Sequence, residues 1–154
     1  MTLSQKTLDQ LRPRDEEQLH RFIRVVLDLR MPRKALTPGH DAPFDYLRHA
    51  WRQGGDGPAD CVVWASRGGG KTYLGAVATL LDLLFRPGIQ VRILAGSLEQ
   101  SSRMYSYLPA MVQRPALRGV LADEPTQRRI VLHNGSAAEL LAQSEPSVRG
   151  VRVH

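Results

Sequence analysis

The chain has 154 residues, of which 42% are apolar and 23% are charged. This size and composition predict a soluble globular domain, or part of one, and exclude a chain that is mainly disordered. Lysine and arginine number 21 against 15 acidic residues, which gives a net charge of +6. A basic balance of this kind favours a polyanionic partner such as nucleic acid.

Cysteine and histidine usage excludes several kinds of site. Cys61 is the single cysteine, so an intramolecular disulfide and a cysteine-rich zinc site are both excluded. The five histidines have no metal-ligand spacing.

The N-terminus has no apolar signal-peptide core, and the longest apolar stretch, residues 74–85, is shorter than the ~20 residues that span a bilayer. We therefore expect a soluble intracellular protein with no membrane association.

Two helices are predicted before residue 59. Residues 14–30 place apolar side chains on one helical face, and prolines flank the segment at positions 13 and 32. A shorter helix is predicted over residues 44–52, within a stretch otherwise interrupted by proline and glycine. We expect residues 1–58 to form an N-terminal helical segment.

From residue 59 onward, strands and helices are predicted to alternate. The run Cys61–Trp64 is apolar and rich in β-forming residues, which is typical of a buried parallel strand. A helix is predicted over residues 71–85, a strand over 91–95 and a second helix over 98–112. This order implies a parallel sheet with right-handed crossovers.

The remaining sequence predicts a hairpin and the beginning of another strand. Residues 113–128 are irregular. Residues 129–133 and 136–142 are predicted to pair across an Asn-Gly turn. After a loop, residues 151–153 are typical of the start of a strand.

The strongest motif lies between the first predicted strand and the helix after it. Residues 65–72 read Ala-Ser-Arg-Gly-Gly-Gly-Lys-Thr and match the phosphate-loop pattern G-x-x-x-x-G-K-[ST], except that alanine stands at the first position. Glycines let main-chain N–H groups curl toward phosphate oxygens, and the helix N-terminus adds partial positive charge. The motif predicts a site for ATP and Mg²⁺ in an α/β fold of the P-loop NTPase type. We expect three layers with a mainly parallel sheet, incomplete, over residues 59–154.

Each residue of the loop has an expected role. Lys71 is expected to reach the β- and γ-phosphates, and the Thr72 hydroxyl to bind Mg²⁺. Arg67 is either a solvated loop charge or a cation that stabilises the γ-phosphate, so Lys71 and Arg67 are the catalytic candidates. The predicted nucleotide-binding residues are Ser66, Arg67, Gly68, Gly69, Gly70, Lys71 and Thr72.

A P-loop ATPase also needs acidic residues near the metal. Asp123-Glu124 is the one adjacent Asp-Glu pair after the loop. Only three weakly apolar residues precede it and a proline follows it, so a surface loop is the favoured interpretation.

Taken in order, these motifs resemble the N-terminal ATPase domain of the large terminase subunit of tailed bacteriophages. Residues 42–47 look like the segment that helps form that family's adenine pocket, and residues 63–72 look like its arginine-containing Walker A motif. Residues 93–101 are similar to the second strand and its following motif. The hairpin around residues 134–136 and the later segment 148–150 are similar to the stretch before Walker B. The resemblance covers residues 40–154.

The resemblance implies an ATPase that powers DNA packaging in the cytoplasm of a bacterial host. It implies ATP and Mg²⁺ as cofactors, with double-stranded DNA, a small terminase subunit and a portal ring as partners. Arg67 would be the Walker A arginine that acts on the γ-phosphate. In the family, the Walker B strand follows a loop that contains Arg-Gly, which corresponds to Arg149-Gly150 here. Of that strand, only residues 151–154 remain in this chain. The coupling motif and the nuclease domain would lie beyond, so we expect a truncated chain with weak binding, very slow turnover and no nuclease.

Two other functions compete with this interpretation. A helicase-type nucleic-acid translocase shares the loop and the order of strands. A non-catalytic basic module that binds DNA or protein would leave the loop inert, although the arginines are scattered rather than clustered. ATP-independent, salt-dependent DNA binding would favour that module.

Overall fold

The computed structural model describes residues 3–51 and 60–141. Within them the protein is mixed α/β. The elements in chain order are α1 (Gln5–Gln10), α2 (Glu16–Val25), α3 (Pro43–Trp51), α4 (Lys71–Phe85), β1 (Gln90–Ile93), α5 (Leu98–Val112), a short 3₁₀ helix (Arg118–Val120), β2 (Arg129–Val131) and β3 (Ala137–Leu140).

The chain divides into two compact units. One, the helical unit, is Pro13–Ala78, and the other, the sheet unit, combines Met1–Arg12 with Thr79–His154. The boundary between the two falls inside α4. None of the helices in the described ranges has the length and apolar composition needed to cross a membrane.

In the helical unit, α2 confirms the first predicted helix but is shorter than predicted. Asp15 caps its N-terminus, where the carboxylate accepts a hydrogen bond from the Gln18 amide at 2.8 Å. The helix ends at Val25, before the predicted boundary at residue 30, and Asp28 then takes a left-handed φ of 49°. Leu27 remains buried after this turn. Apolar spacing alone did not reveal the turn, because the buried side chain continues the helical pattern past the end of the helix.

The predicted short helix in this unit is confirmed as α3. The Asp45 carboxylate stabilises the N-terminus of α3, because it accepts a hydrogen bond from the main-chain amide of Ala42 at 2.8 Å. Phe44 and Leu47 are buried on its inner face. The Phe44 ring meets the His20 ring of α2 edge-on, with centroids 5.1 Å apart. This packing explains why a nine-residue helix is stable here.

In the sheet unit, α4 ends at the predicted residue and continues into the core. Its last turns are buried on nearly every side, as in a helix surrounded by protein. The buried apolar side chains there are Leu80, Leu81, Leu83, Leu84 and Phe85. The Asn134 side-chain amide donates to the Leu83 carbonyl at 2.8 Å, and the Ser136 hydroxyl donates to the Arg86 carbonyl at 3.0 Å. The predicted hairpin turn therefore also satisfies carbonyls at the end of this helix.

The sheet has three strands in the order β1-β3-β2. β2 and β3 form the predicted antiparallel hairpin, and β1 pairs parallel with β3. The sheet is therefore mixed, and the prediction of a mainly parallel sheet is not confirmed. α5 has the predicted bounds and packs against β1 and β3.

The two sheet faces differ in chemistry. Register places Val91, Ala138 and Ile130 in one row across the strands, and these side chains belong to the more buried face. On the other face, Glu139 lies between Arg92 and Arg129. The Arg92 guanidinium is 3.5 Å from the Glu139 carboxylate. Alternation along the strands thus directs one face to the core and places an ion pair on the other.

The prediction of a buried strand at Cys61–Trp64 is wrong. Residues 60–66 form no strand, and Val62 is 91% exposed. A strand requires a neighbouring strand to pair its N–H and C=O groups, and local β propensity does not supply that neighbour. Without this strand, the three-layer P-loop arrangement is not confirmed.

Two described helices form where the sequence predicts none, and one predicted segment lies outside the described residues. α1 was missed, although Ser4 caps it and Leu8 is fully buried. The irregular stretch 113–128 also contains the 3₁₀ helix Arg118–Val120. The loop and strand predicted after residue 143 lie outside the described residues.

Asp82 of α4 gives the sheet unit a predicted pH dependence. Burial raises the pKa of its carboxyl above the ordinary 3.8, and the Arg86 guanidinium, 3.1 Å away, offsets only part of that effect. The ionised group therefore lowers stability above the raised pKa, and this penalty disappears below 3.8, where both folded and unfolded states are protonated. We expect Asp82→Asn to raise the free energy of unfolding at neutral pH but not at about pH 3. Urea denaturation at both pH values measures this, with Asp123→Asn at an exposed position as the control. An equal effect at both pH values would contradict the assignment.

Candidate nucleotide-binding loop

Two glycines of the predicted phosphate loop have a left-handed backbone conformation. Gly68 has φ of 80° and Gly70 has φ of 76°, in the left-handed region that favours glycine. The Gly69 amide donates to the Ser66 carbonyl at 3.2 Å and closes a tight turn. The loop therefore curls within the helical unit immediately before α4 begins.

The three glycines have different steric surroundings. A Cβ atom built at Gly68 or Gly70 would meet nothing within 4 Å, so both positions need glycine for backbone conformation. A Cβ atom at Gly69 would lie 3.2 Å from the Ser66 carbonyl oxygen, which is closer than most Cβ contacts. The centre of the turn is thus already filled by its own main chain, and its outer side is open.

The helix that follows the loop begins with the two polar residues of the motif. α4 starts at Lys71, Thr72 is its second residue, and both are exposed. Its first turn contains no acidic residue. A helix N-terminus carries partial positive charge, which favours an anion. Because the first turn of α4 has no carboxylate, no negative side chain in that turn repels an anion there.

The Lys71 side chain folds back over the loop. Its ammonium donates to the Ala65 carbonyl at 3.0 Å and to the Ser66 carbonyl at 3.1 Å. An ammonium has three N–H donors, so one remains for an incoming acceptor while both carbonyls are held. A phosphate oxygen is an acceptor of this kind.

Arg67 lies on the turn itself and is exposed. No ion pair to it is present among residues 3–51 and 60–141. This arrangement leaves both interpretations of Arg67 open, and it places a second cation four residues before Lys71.

The acidic partners of a metal are not assembled within the described part of the chain. There, His, Cys, Asp and Glu form no group of three or more that could hold a metal ion. Asp123 and Glu124 are exposed and lie outside the strands, as the surface-loop interpretation predicted. Thr72, exposed at the start of α4, carries the hydroxyl that the motif assigns to Mg²⁺.

The segment that resembles an adenine-pocket element is largely used for packing. Ala42, Phe44 and Leu47 are buried. The Arg33 guanidinium lies over the Phe44 ring, 5.5 Å from its centroid. These side chains stabilise the helical unit, and their apolar surfaces are not free to hold a base.

The left-handed φ at Gly70 gives a direct test of the loop. We expect Gly70→Ala to destabilise the loop conformation by about 1–2 kcal/mol, because a Cβ atom is strained at positive φ. Gly70→Asn is the matched variant, since asparagine tolerates this region better than other residues with a side chain. Binding of ATP, measured by titration, should weaken more for alanine than for asparagine. Equal losses in the two variants would show that backbone conformation is not the reason for glycine here.

The sequence predicted the residues of this loop but not the partners of its lysine. The Ala65 and Ser66 carbonyls are main-chain groups, which a side-chain pattern does not identify. Comparisons of the chain with protein-family models, with curated proteins and with solved structures found no match.

Proposed function

We propose that the loop of residues 66–72 binds the triphosphate tail of ATP together with Mg²⁺. The observation that carries this proposal is the combination of two left-handed glycines with a lysine ammonium folded over the turn they create. The loop leads directly into the N-terminus of a 15-residue helix whose first turn has no acidic residue. Main-chain amides, helix dipole and ammonium then favour the same anionic ligand.

Each polar group of the loop has a distinct task in this proposal. The amides of residues 67, 68 and 70 would orient the phosphate chain, and Lys71 would bind the β- and γ-phosphates. Arg67 would neutralise charge that develops on the γ-phosphate, and Thr72 would hold the metal. Mg²⁺ would supply neutralisation of the phosphate charge when bound.

The wider proposal is that the chain is the N-terminal ATP-binding part of a terminase large subunit, the motor of DNA packaging. Its support is the order of sequence motifs and the net charge of +6. In that setting the partners would be double-stranded DNA, a small terminase subunit and a portal ring, in the cytoplasm of the host bacterium.

Titration with nucleotides of different phosphate-chain length tests the binding proposal. With Mg²⁺ present, affinity should decrease from ATP to ADP and fall sharply for AMP, because the loop contacts phosphates. Equilibrium dialysis with labelled nucleotides measures each affinity. Equal affinity for ATP and AMP, or no binding of either, would contradict a phosphate-binding role.

DNA binding tests the packaging proposal separately. We expect binding of duplex DNA that weakens with salt and changes when ATP and Mg²⁺ are added. Fluorescence anisotropy of a labelled duplex at several salt concentrations provides the measurement. DNA affinity that is strong but indifferent to ATP would favour a basic binding module instead.

A further inference from the structure

Residues 42–47, whose sequence resembles an adenine-pocket segment, place their apolar side chains inside the helical unit. The exposed fraction is 2% for Phe44 and 0% for Leu47. A base is held largely by apolar and aromatic surface that lines its pocket. Here that surface is used for packing within the unit.

The Phe44 ring, which could otherwise stack on a base, already has two neighbours. The His20 ring meets it with perpendicular planes and centroids 5.1 Å apart. The Arg33 guanidinium lies 5.5 Å from its centroid, and an ion pair with Glu17 holds that guanidinium in place. Because stacking needs an open ring face, a base would have to break both the cation–π contact and the ion pair.

Hydrogen-bonding groups in the same segment also have partners within the unit. One Asp45 carboxylate oxygen accepts from the Ala42 amide at 2.8 Å, and the other lies 3.3 Å from the Arg48 guanidinium. The Phe44 amide donates to the Pro32 carbonyl at 3.1 Å. Strong discrimination between ligands arises where a site hydrogen-bonds a group that one ligand has and another lacks. These groups are therefore occupied and do not distinguish one base from another.

The loop of residues 66–72 recognises a different part of the ligand. Its main-chain amides and the Lys71 ammonium favour phosphate oxygens. Those oxygens are the same in every nucleoside triphosphate and in inorganic tripolyphosphate. The groups suited to binding thus carry information about the length and charge of the phosphate chain.

We propose that this site selects its ligand by the phosphate chain and not by the base. Its ligand class is then nucleoside triphosphates in general, and inorganic tripolyphosphate is the smallest member that it binds. This inference rests on the proposed function, since it concerns the ligand range of the same loop.

Displacement of labelled ATP in equilibrium dialysis with Mg²⁺ tests the inference. We expect GTP and CTP to bind within about threefold of ATP, a smaller difference than one typical hydrogen bond would give. Tripolyphosphate should displace ATP with an affinity within about tenfold of that of ATP itself. Adenosine, which has the base but no phosphate, should not displace it.

Two aromatic substitutions test the role of residues 42–47 directly. Phe44→Leu removes the buried ring, and Tyr46→Leu removes the half-buried one. We expect the ratio of ATP to tripolyphosphate affinity to stay unchanged in both. Phe22→Leu is the matched control, because it truncates another buried phenylalanine of the helical unit, in α2. Circular dichroism verifies the fold of each variant, and displacement from the unmodified chain needs no variant.

The outcomes separate this inference from the proposed function. If ATP binds and GTP, CTP or tripolyphosphate is weaker by more than these limits, base selection is present and the inference is overturned, while nucleotide binding stands. A selective loss of ATP affinity in Phe44→Leu or Tyr46→Leu, absent from Phe22→Leu, would also overturn it. If neither ATP nor tripolyphosphate binds, the proposed function itself fails.

Discussion

Replacement of Lys71 by alanine is expected to weaken ATP binding by about ten- to one-hundred-fold. The ammonium is the donor folded over the phosphate loop, and a hydrogen bond to a charged group contributes about 1.5–3 kcal/mol. At about 1.4 kcal/mol for each tenfold change in affinity, this range gives the expected loss. Isothermal titration of ATP and Mg²⁺ into the folded variant measures it. Stability should change little, because the Lys71 side chain is exposed.

Lys34→Ala is the matched control for this variant. Lys34 is an exposed lysine in the same helical unit but outside the loop, so its removal takes away one positive charge without removing the candidate ligand. ATP affinity should remain close to that of the unmodified chain. If both variants lose affinity equally, binding depends on general charge, and if neither does, the phosphate-loop interpretation is wrong.

Replacement of Leu84 by alanine is expected to cause the largest loss of stability. Leu84 lies in the last turn of α4 and is fully buried. Removal of a buried leucine side chain costs about 2–5 kcal/mol, from lost transfer free energy and from the cavity left behind. Urea denaturation at 25 °C measures the change in the free energy of unfolding.

Leu36→Ala provides the same chemical change on the surface. Leu36 is 81% exposed, so its truncation should alter the free energy of unfolding by less than about 0.5 kcal/mol. Similar losses at both positions would contradict the burial of the end of α4.

Local patterns predicted the elements whose signals lie within a few residues. The bounds of α4 follow from a continuous apolar pattern and the Arg86-Pro87-Gly88 stop, and those of α5 agree as well. The hairpin was predicted from its Asn134-Gly135 turn. In each case the information that determines the element is contained in the element or its immediate flank.

Predictions that depended on distant partners were less successful. Cys61–Trp64 has the composition of a strand but no ladder in the structure. The position of β3 between β1 and β2 makes the sheet mixed, and no local pattern specifies that order. The end of α2 was placed too late because buried Leu27 continues the apolar spacing. These outcomes depend on which segments meet in space, a property that residue spacing does not encode.

The sequence by itself determined the composition of the candidate site: three glycines, a lysine and a threonine ahead of a helix. Glycine also permits positive φ in this loop, and the structure shows that residues 68 and 70 adopt it. The tertiary structure alone decided that the Lys71 ammonium binds two main-chain carbonyls and that the preceding apolar run lies in solvent. The physical reason is that conformational preference belongs to each residue, whereas hydrogen-bond partners and burial depend on the path of the whole chain.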